Sequence, residues 1–165
     1  MTKNNRFALK YRRRREGRTN YKKRLELLKS RKPRLVVRKT NAHMLVQVVS
    51  YTPDGDVVLA QATTKELVDS GWKAATSNLP AAYLAGYLAG VRAQKASISE
   101  AILDLGMQKA AHGGRLFAAV KGVLDAGVSV PVREEVLPSE ERVLGAHIDE
   151  KLSKTIEAVK KKVGA

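Results

Sequence analysis

The residues with the most definite chemistry lie near the start of the chain. Lys3, Arg6, Lys10, Arg12, Arg13, Arg14, Arg15 and Arg18, followed by Lys22, Lys23 and Arg24, are interleaved with Phe7, Tyr11 and Tyr21. Guanidinium groups hold phosphate oxygens bidentately, ammonium groups add point charges, and aromatic faces stack on unpaired bases. That mixture suits folded RNA with loops and bulges. The plainer reading of such a run is a solvated, solubilising face, but runs this dense are seldom found outside nucleic-acid binders. A polybasic segment can also bind an anionic membrane. Here it comes with neither a large apolar helix face nor a lipidation motif, so no membrane partner is expected.

A second constellation is His112, Gly113, Gly114 and Arg115, between a strand-like run and a helix-like one. Glycines there let backbone N–H groups approach an anion that the helix N-terminus and Arg115 attract. An ordinary turn fits the same residues equally well. It is not a P-loop, because no Lys-Ser or Lys-Thr follows. Catalytic readings are poorer. His43, His112 and His147 are scattered, and Asp56, Asp69, Asp104 and Asp125 would have to converge on a divalent metal. A nuclease of that kind wants carboxylates on central strands, whereas the first strand offers Arg34, Arg38 and Lys39. No metal, cofactor or small-molecule substrate is therefore expected. A metal-dependent nuclease, or a general DNA or RNA architectural protein, stands as the alternative.

These residues need a scaffold. Asn20 can cap a helix over residues 21–29, which Pro33 terminates, with Tyr21, Leu25 and Leu28 on one face. Strand-like runs follow at 35–39, 44–51 and 57–62, and the Pro53-Asp54-Gly55-Asp56 turn makes the last two a hairpin. Thr63 and Glu66 have capping-box spacing and predict a helix through Val68 toward Gly71. A longer helix is expected over 80–95, a buried strand over 101–105, and a helix over 116–126 closed by Gly127. After Pro138, Ser139 offers a cap, and Ile148, Leu152, Ile156, Val159 and Val163 recur at helical intervals. Antiparallel-looking strands followed by alternating helix and strand predict an α/β fold, a mixed sheet with helices on both faces.

Charge divides the chain in the same way. Residues 1–39 hold 17 of the 31 Lys and Arg but only Glu16 and Glu26 of the 16 acidic residues, while residues 40–165 carry 14 of each. A balanced domain with a polycationic arm gives a concentrated footprint for a polyanion, which gains by releasing condensed counterions. The arm alone should be disordered, because residues 12–15 repel one another. The absence of cysteine excludes disulfides, thiolate metal sites and cysteine nucleophiles. The expected division is an arm over 1–20, an α/β domain over 21–137 and a C-terminal helical extension over 138–165.

Several stretches carry a family resemblance. Tyr21-Lys-Lys-Arg-Leu-Glu-Leu-Leu-Lys-Ser-Arg-Lys-Pro, Arg34-Leu-Val-Val-Arg-Lys-Thr-Asn, Asn78-Leu-Pro-Ala-Ala-Tyr-Leu-Ala-Gly, Ala101-Ile-Leu-Asp-Leu-Gly, Phe117-Ala-Ala-Val-Lys-Gly and Leu137-Pro-Ser-Glu occur in this order. They resemble the archaeal and eukaryotic branch of the large-subunit ribosomal proteins that bind 5S ribosomal RNA, eighteenth in the bacterial naming. The resemblance implies a three-layer α/β domain with a ribonuclease H-like sheet and no catalytic activity. It implies a place in the central protuberance of the cytoplasmic ribosome, with 5S rRNA, large-subunit rRNA and neighbouring ribosomal proteins as partners. By motif, it implies RNA contacts from the arm, from Tyr21, Lys22, Lys23 and Arg24, from Arg34, Arg38, Lys39, Thr40, Asn41 and His43, and from His112, Gly113, Gly114 and Arg115.

Overall fold

Alternation along the strands decides which face of the sheet is covered. In the computed structural model, which describes residues 8–149 and 152–164, β1 (Arg34–Lys39) buries Leu35 and Val37 completely. Arg34, Val36 and Arg38 alternate with them and point to the opposite face. Strand β2 (Met44–Thr52) sends Met44, Val46 and Val48 into the same core, and β3 (Gly55–Thr63) adds Ala60 and Ala62. These three strands form an antiparallel meander, and β4 (Ile102–Asp104) joins β1 in parallel, giving the order β3-β2-β1-β4. A parallel bridge from Glu100 to Ser129 continues the sheet past β4.

Two helices cover the apolar face. Helix α3 (Leu79–Lys95) starts where the Asn78 side chain accepts the Ala81 N–H at 2.8 Å, with Pro80 in its first turn. Helix α4 (Arg115–Asp125) ends at Gly127, whose φ of +95° favours glycine. The two helices meet backbone to backbone. A Cβ added at Gly86 would lie 1.9 Å from the Ala119 carbonyl oxygen, and one at Gly122 would lie 2.1 Å from that of Tyr83. Glycine inside a helix costs about 0.5–1 kcal/mol relative to alanine. Here it permits a contact that any side chain would block.

On the other face lies α2 (Tyr21–Lys29), capped by Asn20, whose Oδ1 accepts the Lys23 N–H at 3.1 Å. Together α2, the sheet and the α3/α4 pair make the three layers of an α/β fold. Before α2, Arg12–Arg15 form one helical turn, α1. Within the whole chain the segment thus has local order. Glu16 contacts both Arg12 and Arg18, and Tyr11 packs on Tyr21 with ring centroids 5.3 Å apart, offsetting part of the self-repulsion.

The C-terminal stripe packs on its own domain. Helix α6 (Leu152–Gly164) buries Leu152, Ile156 and Val159 with α3 as its neighbour, while Ile148 precedes the helix and stays exposed. Lys160 anchors it: its Nζ donates to the Tyr83 hydroxyl at 2.9 Å and lies 4.8 Å from the Tyr87 ring centre, and Tyr83 donates in turn to Asp125 at 2.7 Å. Ser139 precedes the short α5 (Glu140–Val143), although its side chain makes no capping bond.

One expected helix is absent. Thr63 and Glu66 do form the capping contacts, with the Thr63 N–H 2.9 Å from Glu66 Oε1, yet residues 64–71 are successive turns. The Thr64 N–H donates to the Met44 carbonyl, Thr64 Oγ1 accepts the Met44 N–H, and Leu67 and Trp72 are buried. Tethering to β2 and the burial of two large side chains override the local signal.

Candidate nucleic-acid interface

The sheet face opposite α3 and α4, together with α2, encloses a groove of about 630 Å³. Its floor is Val36, Gln47, Val49 and Val58, and its rim carries Arg13, Arg18, Lys23 and Tyr21. Ion pairs cross it. Arg34 donates to Asp104 at 2.8 Å and to Asp56 at 2.7 Å, Arg24 reaches the second oxygen of Asp56 at 2.7 Å, and Arg38 approaches Asp104 at 3.2 Å. Arg38 also donates to the Asp104 carbonyl at 2.6 Å, and the Gly106 N–H closes on the same carboxylate at 2.8 Å.

Electrostatics follow from this geometry. Burial alone would push the Asp104 carboxyl up; the Arg38 charge, the Gly106 N–H and the bonds from both arginines outweigh it and hold the group below the usual carboxylate range. For Asp56, burial is likewise outweighed by the bonds from Arg24 and Arg34. The bond to Asp56 raises the Arg24 guanidinium above its ordinary value. Both acids are therefore charged and fully engaged with arginine, and are not poised to hold a metal or a water. Among the described residues, no group of three or more His, Cys, Asp or Glu is placed to hold a metal ion.

The sequence-derived sites separate into three groups. Lys10, Tyr11, Arg12, Arg13, Arg14, Arg15, Arg18, Lys22 and Lys23 are exposed, forming one cationic track from the arm onto α2, with Tyr21 half-buried beneath it. Lys3 and Arg6 lie outside the described residues. Asn41 is exposed in the β1–β2 turn, where Thr40 and His43 bond to each other through backbone and hydroxyl, so the turn is rigid. Lys39 is half-buried, its backbone gripped from both sides by the Gln108 amide.

The third group is partnered within the chain. Arg34 is only 2 % exposed and its guanidinium pairs with Asp56 and Asp104, so it organises the sheet face. Arg24 and Arg38 share that structural duty. In the 112–115 segment, the Gly113 N–H donates to Val136 and the Gly114 N–H to Ala111, while Arg115 donates to the Ser77 carbonyl at 2.7 Å. The two glycine N–H groups are thus bonded within the chain, as in an ordinary turn, and His112 alone of the four is exposed. Sequence reasoning missed Gln108 and the pairing role of Asp56 and Asp104. The only available signal was a lone Asp inside the apolar run 101–105, and it was compatible with a metal ligand as much as with a buried ion pair.

Comparison with known proteins meets this geometry. Residues 5–99 and 92–133 match the family described as ribosomal large subunit proteins 60S L5 and 50S L18. The chain belongs to this family. It is also 55 % identical over 148 residues to the large ribosomal subunit protein uL18 of Korarchaeum cryptofilum (strain OPF8), an alignment covering 90 % of this chain and 76 % of that protein. Membership makes the chain a structural component of the large subunit of the cytoplasmic ribosome, with ribosomal RNA and ribosomal proteins around it, and not an enzyme. The paired carboxylates of the groove fit that role. No helix among the described residues is long and apolar enough to cross a membrane.

Proposed function

We propose that this family member binds 5S rRNA and fastens it to the large-subunit rRNA in the central protuberance. The observation that carries the reading is the exposed track of Lys10, Arg12 to Arg15, Arg18, Lys22 and Lys23, set beside packed Tyr11 and Tyr21, while residues 40–165 sum to zero net charge. Residues 1–20 act as the arm that neutralises phosphates. The domain over 21–137 fits the shape of a folded, partly helical RNA through α2 and the rigid 40–43 turn, and 138–165 completes the core behind it. Lys3, Arg6, Lys39, Asn41 and His112 are further contacts in this scheme.

The test is binding measured side by side, at one fixed salt concentration, to 5S rRNA, an unrelated structured RNA and duplex DNA of similar length. Preference for 5S rRNA supports the proposal. Equal affinity for all three assigns the chain a general polyanion contact instead.

A further inference from the structure

The β2–β3 hairpin is electrostatically unlike the rest of the chain. Residues 44–63 contain none of the 31 Lys and Arg, and their only charges are Asp54 and Asp56. In a protein whose main ligand is a polyanion, a surface of that kind avoids phosphate. It is also unusually apolar: Tyr51, Val57, Val58 and Leu59 are 53, 47, 45 and 42 % exposed, four of the large hydrophobic side chains left open to solvent. The register puts Tyr51 and Val58 on the groove face, Val58 also in its floor, and Val57 on the opposite face, so the apolar side chains wrap the free edge of the hairpin from both sides. Contiguous exposed apolar side chains mark sites of protein association more often than isolated ones do.

The patch lies on β3, the end strand of the sheet. Open strand edges are usually blunted, and half of this one is. Arg92 reaches from α3 to the Gln61 carbonyl at 2.6 Å and is itself held by Glu66 at 2.6 Å, closing the edge near its C-terminal end. The half carrying Val57 to Leu59 lacks that cover. A register shift opposite Val48 and Val49 twists the strand there, so a long added strand would not follow it. A short extended segment would.

We infer that the outer half of the β2–β3 hairpin is a protein-docking surface, and that its occupant is a short, extended segment of another large-subunit ribosomal protein, with apolar side chains and flanking Lys or Arg. Tyr51, Val57, Val58 and Leu59 supply the apolar contact. Exposed Asp54 selects a basic segment over an acidic one and repels RNA. The inference rests on membership of the ribosomal family and not on which RNA the arm binds.

A photo-crosslinking amino acid placed at Val57 in the full chain, incorporated into large subunits, tests it directly. Mass spectrometry of the crosslinked peptides should show attachment to one protein segment containing Lys or Arg. Attachment to RNA, to a second copy of this chain, to a segment lacking Lys and Arg, or to nothing overturns the inference. Hydroxyl-radical oxidation of Tyr51 should be largely lost in the assembled subunit, persist in the complex with 5S rRNA alone, and return when salt washing strips proteins while the rRNA remains. Protection by RNA alone refutes the docking surface. A Tyr51→Ser, Val57→Thr, Leu59→Thr variant should lose the crosslink made from a second probe position, Thr52, yet bind RNA within about twofold of the parent, as exposed apolar substitutions usually do. Loss of RNA binding by this variant would place the hairpin in the RNA interface. Failure of the parent chain to prefer 5S rRNA would leave the crosslinking result untouched.

Discussion

Replacing Asp104 with asparagine should destabilise the protein far more than its position on a short strand suggests. The Asp104 side chain is 9 % exposed, the Arg34 side chain 3 %, and the 2.8 Å bond between them is one of only two ion pairs available to that guanidinium. Among the described residues no partner reaches the buried Arg34 Nε, so the Asp104→Asn substitution would leave the buried guanidinium charge with Asp56 as its remaining carboxylate. Removing one partner of a buried pair costs about 3–5 kcal/mol. The asparagine oxygen can still accept one bond, which puts the expectation near the lower end, about 3 kcal/mol. For a domain of this size that corresponds to a fall in Tm of about 6–12 °C. The companion variant removes the charges together: Arg34→Met with Asp104→Leu exchanges the pair for apolar volume and should lie within about 1.5 kcal/mol of the parent. Arg24 continues to neutralise Asp56 in that variant. Urea unfolding monitored by far-UV circular dichroism reads both, with unchanged m-values confirming that stability alone has moved. If the single substitution costs less than about 0.5 kcal/mol, or the double costs as much as the two singles together, the network is not what holds the sheet face.

Deleting residues 1–20 should leave a folded domain and flatten the log–log salt dependence of RNA binding by about four units if six phosphate contacts are lost on single-strand-like RNA; filter binding across a salt series checks this, and an unchanged slope would direct the arm elsewhere. Ile156→Ala, at a site 2 % exposed, should cost about 2–5 kcal/mol by calorimetry while the folded protein keeps its RNA affinity; equal melting would detach α6 from the core. Acid titration of stability has a definite sign. The Asp56 and Asp104 carboxyls lie below their ordinary value of 3.8 in the folded state, so their contribution is full above that value and is lost as pH falls through and below it. Urea midpoints should therefore hold from neutrality to about pH 5 and drop below about pH 4, less steeply in the Asp104→Asn variant. Lys39→Gln should weaken binding to 5S rRNA more than to unrelated RNA, because its backbone is clamped by Gln108; equal losses would make it a nonspecific phosphate contact.

The parts of this molecule legible in the sequence are those set by short-range rules. Alternation placed the three meander strands, Asn20 marked a helix start, and the Pro-Asp-Gly turn made its hairpin. Signals failed where distant residues decide. Arg34 reads as a cation at a strand start, and nothing local reveals that Asp56 and Asp104, 22 and 70 positions away, close on it. Glu66 reaches back to the Thr63 N–H as a capping box requires, yet the helix does not form, because the Glu66 N–H goes to the Thr63 carbonyl and Met44 takes the Thr64 backbone and hydroxyl groups. The Gly113 and Gly114 donors look free until Val136 and Ala111 are folded against them. The exposed track from Lys10 to Lys23 was legible throughout, since eleven basic residues in the first 24 could not be hidden in a core of this size.

The contact of α3 with α4 through Gly86 and Gly122 bears on where this protein can change when it meets its RNA. Two helices whose backbones touch have no intervening side chains to rotate, so neither can slide or tilt without losing contact along the whole seam. Accommodation is thereby directed away from the body and into the segment before residue 20, where one helical turn and one aromatic pair are the main order present among the described residues. The molecule divides into a large body that keeps its shape and a short basic lead-in, residues 8–20 of those described, that is free to adjust. Among the described residues, 8–20 are therefore where ordering on recognition is expected to cost most entropy, with the body fixing the geometry.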